Sequence, residues 1–262
     1  MENKQKIKIS IFLEAIILVV LLILSLNIFI SLNKNNNLYV EVLPLQTQKS
    51  EINKKIQQIS EEYNISIIYG NETFDIAENV NAIPVMNDEK IKLQLEAIKK
   101  SLEKYDVGFF KEDSLTIILL DYFQNDNLAL ASRNNLGEYK IYLSYNENLE
   151  RSIHHEIYHI FEYMNNINDS NEYINWNNLN PKNFEYNQDI KYLTNQYVYG
   201  SSYDNDDIYF VTRYSKTSPK EDRAEVFAEM MIKKYDFKNI NNITAKIKTI
   251  YNVLQKYGNN VN

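Results

Sequence analysis

The sequence predicts an α+β domain, with a small mixed sheet, an HExxH helix and then a helical lobe, preceded by a single N-terminal transmembrane helix. Three observations predict this. An almost wholly apolar run covers residues 9–32. Strand-like runs and amphipathic helices follow one another up to Tyr145, and two helix signals come after them, at Leu149 and at Ser218. Beyond the apolar run lie 230 residues (262 − 32), enough for a sizeable core. The net charge of −7 comes without any basic patch, which argues against nucleic acid as a partner. Cysteine is absent, so there is no disulfide, no thiolate ligand and no cysteine for lipid attachment.

Residues 1–8 form a short tail in which Lys4, Lys6 and Lys8 outnumber Glu2. The 24 residues from Ile9 to Leu32 are interrupted by little more than Glu14, Asn27 and a few serines. As a helix they exceed the ~30 Å hydrocarbon core. A cleaved signal peptide would use Ala15 to Leu26, but no small-x-small pair follows that stretch. The expectation is therefore a signal anchor in the cell membrane, with the lysines inside and the domain outside; cleavage would make the protein secreted. Residues 33–46, with Asn35-Asn36-Asn37 and Pro44, read as a linker, and 47–262 as one domain of two lobes around a cleft.

Within that domain Gln48 to Tyr63 has helical periodicity, and Ile65 to Tyr69 is a short strand. Glu89 to Tyr105 is amphipathic, with Ile91, Leu93, Leu95, Ile98 and Leu102 directed inward. Leu115 to Phe123 is a strong strand, and Leu128 to Ser132 pairs with Tyr139 to Tyr145 around Asn134-Asn135-Leu136-Gly137. Tyr139 to Tyr145 is the candidate edge strand for an extended peptide, with an interior strand as the equal alternative. Between Asn165 and Tyr209 the pattern is irregular, and Trp176, Pro181, Phe184 and Tyr186 read as packing anchors.

The chemistry concentrates at Leu149 to Met164. All three histidines of the chain lie here, and His155, Glu156 and His159 fit H-E-x-x-H. Positions i and i+4 share a helix face, so both imidazoles can hold one Zn2+, while Glu156 stands beside the ion and can take a proton from water that the metal activates. Ile153, Ile157, Ile160, Phe161 and Met164 form a separate apolar face, and His154 reads as structural. A catalytic zinc takes three protein ligands. With no histidine or cysteine left, the third must be a carboxylate, and the segment Ser218 to Glu229 supplies the candidates. Ser218, Pro219 and Glu221 spell a capping box, which commits Glu221 to the backbone. Glu225, one turn further between Ala224 and Ala228, is then the expected ligand, with Glu229 hydrogen-bonding a ligand from behind.

H-H-E-I-Y-H followed by E-D-R-A-E-V-F-A-E resembles the HExxH-plus-Glu zinc peptidases, the gluzincins. The likeness is nearest to secreted metallopeptidases of Gram-positive bacteria related to the catalytic domain of anthrax lethal factor. It is sharp at the two helices and extends loosely over 90–237, including W-N-N-L-N-P-K-N-F-E-Y from Trp176. The resemblance implies a zinc-dependent endopeptidase acting on peptide or protein substrates, with zinc on His155, His159 and Glu225 and with Glu156 as general base. It also implies a tyrosine, seven residues before the third ligand, that stabilises the oxyanion. Ser218 occupies that position relative to Glu225; Tyr214 is the nearest tyrosine, with Tyr209 and Tyr203 as alternatives. The rival readings are a membrane-anchored binding or sensor module with a structural zinc, and a tethered structural protein with no metal.

Overall fold

Apolar runs and turn residues set the strands. A computed structural model describes residues 49–106, 108–110, 115–125, 127–167, 173–189, 196, 207–232 and 241–258. Helix α1 covers 49–63 and is followed by β1 (Ile65–Ile68). A 3-10 turn leads into the short helix α2 (Phe74–Asn79) and β2 (Ala82–Pro84). Then come α3 (Asp88–Leu102), β3 (Leu115–Phe123) and a hairpin of β4 (Ala129–Arg133) and β5 (Tyr139–Ser144). Helices α4 (Leu149–Met164), α5 (Pro219–Ile232) and α6 (Asn241–Lys256) follow. The result is a mixed α+β architecture in which Ile52–Asn262 forms one compact unit.

The five-stranded sheet runs β1-β3-β5-β4, with β2 paired to the end of β3. β1 and β5 are parallel to β3, whereas β4 is antiparallel to β5, with Ala131 opposite Ile141. On one face Ile117, Leu119, Ile141 and Leu143 meet Ile91, Leu95 and Ile98 of α3, Ile153 and Ile157 of α4, and Phe227 of α5. On the other, Ile118, Leu120 and Tyr142 cluster with Ala77 of α2. Apolar side chains on both faces explain why β3 reads as a continuous apolar run rather than an alternating one.

Two details differ from the reading of the sequence. Leu93 is 46 % exposed. Its place on the inner stripe of α3 is taken by Gln94, whose amide donates to the Leu120 and Leu143 carbonyls at 3.0 and 2.9 Å and ties β3 to β5. The expected edge strand, Tyr139 to Tyr145, is interior because its far side pairs with β3, so β4 is the edge. The tail 1–8, the anchor 9–32 and the linker 33–46 lie outside the described residues, among which no helix is long and apolar enough to cross a membrane.

Candidate metal centre

Helices α4 and α5 pack antiparallel, and their polar stripes meet residue by residue. On α4 the stripe advances four residues at a time through Arg151, His155, His159 and Tyr163, which stacks the side chains on one face. On α5 the partners run backward. Arg151 pairs with Glu225, His155 touches both Glu225 and Glu221, His159 touches Glu221, and Tyr163 touches Lys220.

At the centre three acceptor atoms converge. His155 Nε2 lies 3.0 Å from Glu221 Oε2, His159 Nε2 lies 3.2 Å from the same oxygen, and the two Nε2 atoms are 3.1 Å apart. His155 Nδ1 is 2.8 Å from Glu225 Oε1. A carboxylate only accepts, so Nδ1 carries a proton, and Nε2 can present a lone pair to a metal once it gives up the second proton. Three ligands at ~2.0–2.2 Å around a tetrahedral ion would stand ~3.3–3.5 Å from one another, close to the triangle found here. Among the described residues, His155, His159 and Glu221 are the group that could hold a metal ion.

The carboxylate that joins the two imidazoles is therefore that of Glu221, where the sequence led us to expect Glu225. The Glu221 N–H does donate to Ser218 Oγ at 3.2 Å, as a capping box requires, but its carboxylate faces the imidazoles. Glu225 sits one turn deeper, behind His155. It accepts from Arg151 through both oxygens and from Thr212 Oγ1, and it orients the His155 ring. Glu229 lies one step further back, 3.9 Å from Arg151 Nε. Arg151 and Thr212 carried no recognised signal in the sequence, although Arg151 stands one turn before His155 on the same stripe.

Electrostatics around the triangle favour a cation. Burial draws the His155 imidazole down, yet its bonds to Glu221 and Glu225 and the charge of Glu156 outweigh it and push it up to about 10. His159 is taken down to about 4, mainly by burial. Glu225 is held at about 2: burial raises it, but Arg151 and His155 outweigh that. Glu156 is buried beside the triangle, and burial with the charge of Glu221 moves it up to about 7 against the pull of His155 and a hydrogen bond from the Ala131 N–H.

Tyr214 begins a short 3-10 turn that brings its ring within 6.0 Å of the His155 ring, centroid to centroid. Its hydroxyl hydrogen-bonds Glu221, and burial together with the surrounding carboxylates keeps it protonated, well above the usual phenol range. The Tyr209 carbonyl is engaged by Lys246 at 2.7 Å, and Tyr203 lies outside the described residues. His154 is fully buried, with Nδ1 2.6 Å from the Tyr105 hydroxyl, as a structural histidine should be. Comparisons with protein-family models, with curated proteins and with solved structures give no match to this chain.

Proposed function

We propose that the chain is a zinc-dependent endopeptidase whose metal ligands are His155, His159 and Glu221. The observation that carries this reading is the convergence of three lone-pair donors with a fourth, non-ligating carboxylate, Glu156, buried beside them. Two imidazoles and one carboxylate form a donor set suited to zinc, and to a catalytic rather than a closed structural site. When bound, zinc supplies Lewis-acid polarisation of a carbonyl and acidifies water toward pKa ~7.

The protein's own groups do the rest. Glu156, at about 7, is poised to take a proton from the attacking water near neutral pH. As the water oxygen bonds to the peptide carbon and the C–N bond breaks, Glu156 returns that proton to the leaving amine. The protonated Tyr214 hydroxyl is a donor for the oxygen on which negative charge develops. Counted from Glu221, Tyr214 stands seven residues upstream (221 − 214 = 7), the spacing that the resemblance to the lethal-factor group implies.

The edge strand offers a track for substrate. Leu128 pairs with Ser144 and Asn134 with Glu138 through hydrogen bonds. By strand alternation Ala129, Ala131 and Arg133 then direct their backbone groups away from β5. Ala131 does so toward Glu156. An extended peptide pairing along this edge would pass beside the general base.

The test uses the full-length, detergent-solubilised chain loaded with zinc. It should cleave members of a peptide library, lose activity to a chelator and regain it with zinc. Glu156→Gln should keep one zinc per chain and lose nearly all hydrolysis, because a base and not a ligand is removed. Turnover at the wild-type level in that variant, or no cleavage by the zinc-loaded wild type, would overturn the proposal.

A further inference from the structure

One charged group beside the triangle has so far been given no role, although its charge lowers both Glu156 and His159. Lys220 opens α5 immediately before Glu221, and its ammonium donates to the Tyr163 hydroxyl at 2.5 Å while lying 4.6 Å from the centre of that ring. Tyr163 is the next member of the stripe His155, His159, Tyr163 and stands one helical turn past the second imidazole. Both side chains are half-buried, so part of each remains open to solvent. Among the described residues Lys220 hydrogen-bonds only Tyr163 and no carboxylate ion-pairs with it. The neighbouring acids are otherwise engaged. Glu162 holds Arg223 in the interior, and Glu156 accepts from Ala131.

Lys220 also stands where a helix does not want a cation. The first turn of α5 is the positive end of its dipole, so the charge opposes the helix it belongs to. Two of the three ammonium hydrogens remain for something outside the described protein. From these observations we propose that Lys220, steadied by Tyr163, binds a carboxylate of the substrate. This rests on the endopeptidase reading and extends it to a substrate class, peptides carrying an acidic group beside the scissile bond. The four-residue step from His159 to Tyr163 rises ~6 Å along α4, and an extended peptide advances ~3.3 Å per residue. The carboxylate therefore belongs within about two residues of the cleaved bond. A Glu or Asp side chain and a free C-terminus offer the same chemistry.

The experiment compares matched peptides on the zinc-loaded full chain, with Glu, Gln or Lys at each of the two positions on either side of the bond. A further pair ends two residues beyond the bond, as free acid or as amide. At one of these positions, or at the free C-terminus, wild type should prefer the carboxylate over its amide counterpart by about tenfold or more in kcat/KM, as for a charge-assisted hydrogen bond. Lys220→Met should bring that ratio near one, Lys220→Glu should invert it in favour of Lys, and Lys220→Arg should restore it. The position that responds identifies side chain or C-terminus as the source. Cleavage with the same acid preference in wild type and Lys220→Met would overturn the inference and leave the peptidase intact. So would an equal fall on the Glu and Gln peptides, which would mean that Lys220 acts only on Glu156. Absence of cleavage of any peptide by the wild type would sink the peptidase reading and this inference with it.

Discussion

The proposal that Glu221 is a ligand and that Glu225 holds His155 from behind predicts opposite responses from two neighbouring glutamates. At free zinc 1,000 times the dissociation constant, binding stabilises the fold by ~4.1 kcal/mol. For a unit of 211 residues (262 − 52 + 1), at ~2–4 °C per kcal/mol, that is a rise in Tm of about 8–16 °C. Glu221→Ala removes a ligand but spares the cap, which Ser218 provides to the backbone N–H of residue 221. Its zinc-free stability should fall by ~1.5–3 kcal/mol, because the two buried imidazoles lose a charged hydrogen-bond partner, and the zinc-induced shift should vanish at that concentration. Glu225→Gln should do the reverse. It takes the charged partner from Arg151, whose side chain is 8 % exposed, and leaves the Glu229 carboxylate at 3.9 Å to hold it. Breaking a buried pair costs ~3–5 kcal/mol, and Glu229 puts the expected loss at the lower end. Zinc should still bind, about 10–100-fold more weakly, as when the partner behind a ligand is altered. Thermal unfolding with zinc and with chelator, together with metal stoichiometry, reads both quantities. A zinc shift that survives Glu221→Ala and disappears in Glu225→Gln would refute the assignment.

Tyr214→Phe should lower kcat by about 10²–10³ with zinc content and KM little changed, since the donor acts only where charge develops; an unchanged kcat would remove the hydroxyl from the mechanism. The His154 imidazole is held at about 3 by burial, down from 6.5. The unfolded chain therefore takes up a proton there that the fold refuses, and stability should fall by about 1.4 kcal/mol per unit as pH drops below about 6.5. Urea unfolding of wild type and His154→Gln in chelator isolates this slope, and parallel pH profiles would show that His154 contributes none of it. The anchor proposed for 9–32 places 33–262 outside the membrane. Protease added to intact protoplasts should then digest the domain, and protection would reverse the topology.

Long elements with strong patterns were legible in the sequence. The apolar spacing of α4, the strand β3 and the hairpin turn at Asn134 to Gly137 stand within a residue or two of their expected places. The region from Gly70 to Pro84 was not legible, because a six-residue helix and a three-residue strand are too short to show a period. The carboxylate that meets the imidazoles was misplaced for a different reason. Glu221 and Glu225 share one face of α5, and which of them reaches the imidazoles depends on how far α5 slides along α4, a tertiary quantity. The capping rule took Glu221 for the backbone, but a cap needs only the Ser218 hydroxyl and leaves the carboxylate free to turn outward. The spacing of Tyr214 held the correction, since a tyrosine seven residues before the third ligand fits Glu221 and not Glu225.

What fixes that slide is a set of buried charges along the first two turns of α5. Asp222 turns toward α6 and accepts from Lys246, Trp176 and Tyr186 at 2.7, 2.9 and 2.8 Å. Arg223 pairs with Glu162 of α4, and Glu225 pairs with Arg151 of the same helix. Buried pairs of this kind contribute little net stability, because desolvation offsets most of the attraction. Their geometric effect is large all the same. Shifting α5 by one residue would separate both α4 pairs and the Asp222–Lys246 pair together, stranding several charges at ~3–5 kcal/mol for each broken pair. Apolar packing alone would resist such a shift less sharply, since hydrophobic contact is not directional. The charged stripe thus locks the register in which Glu221 meets His155 and His159.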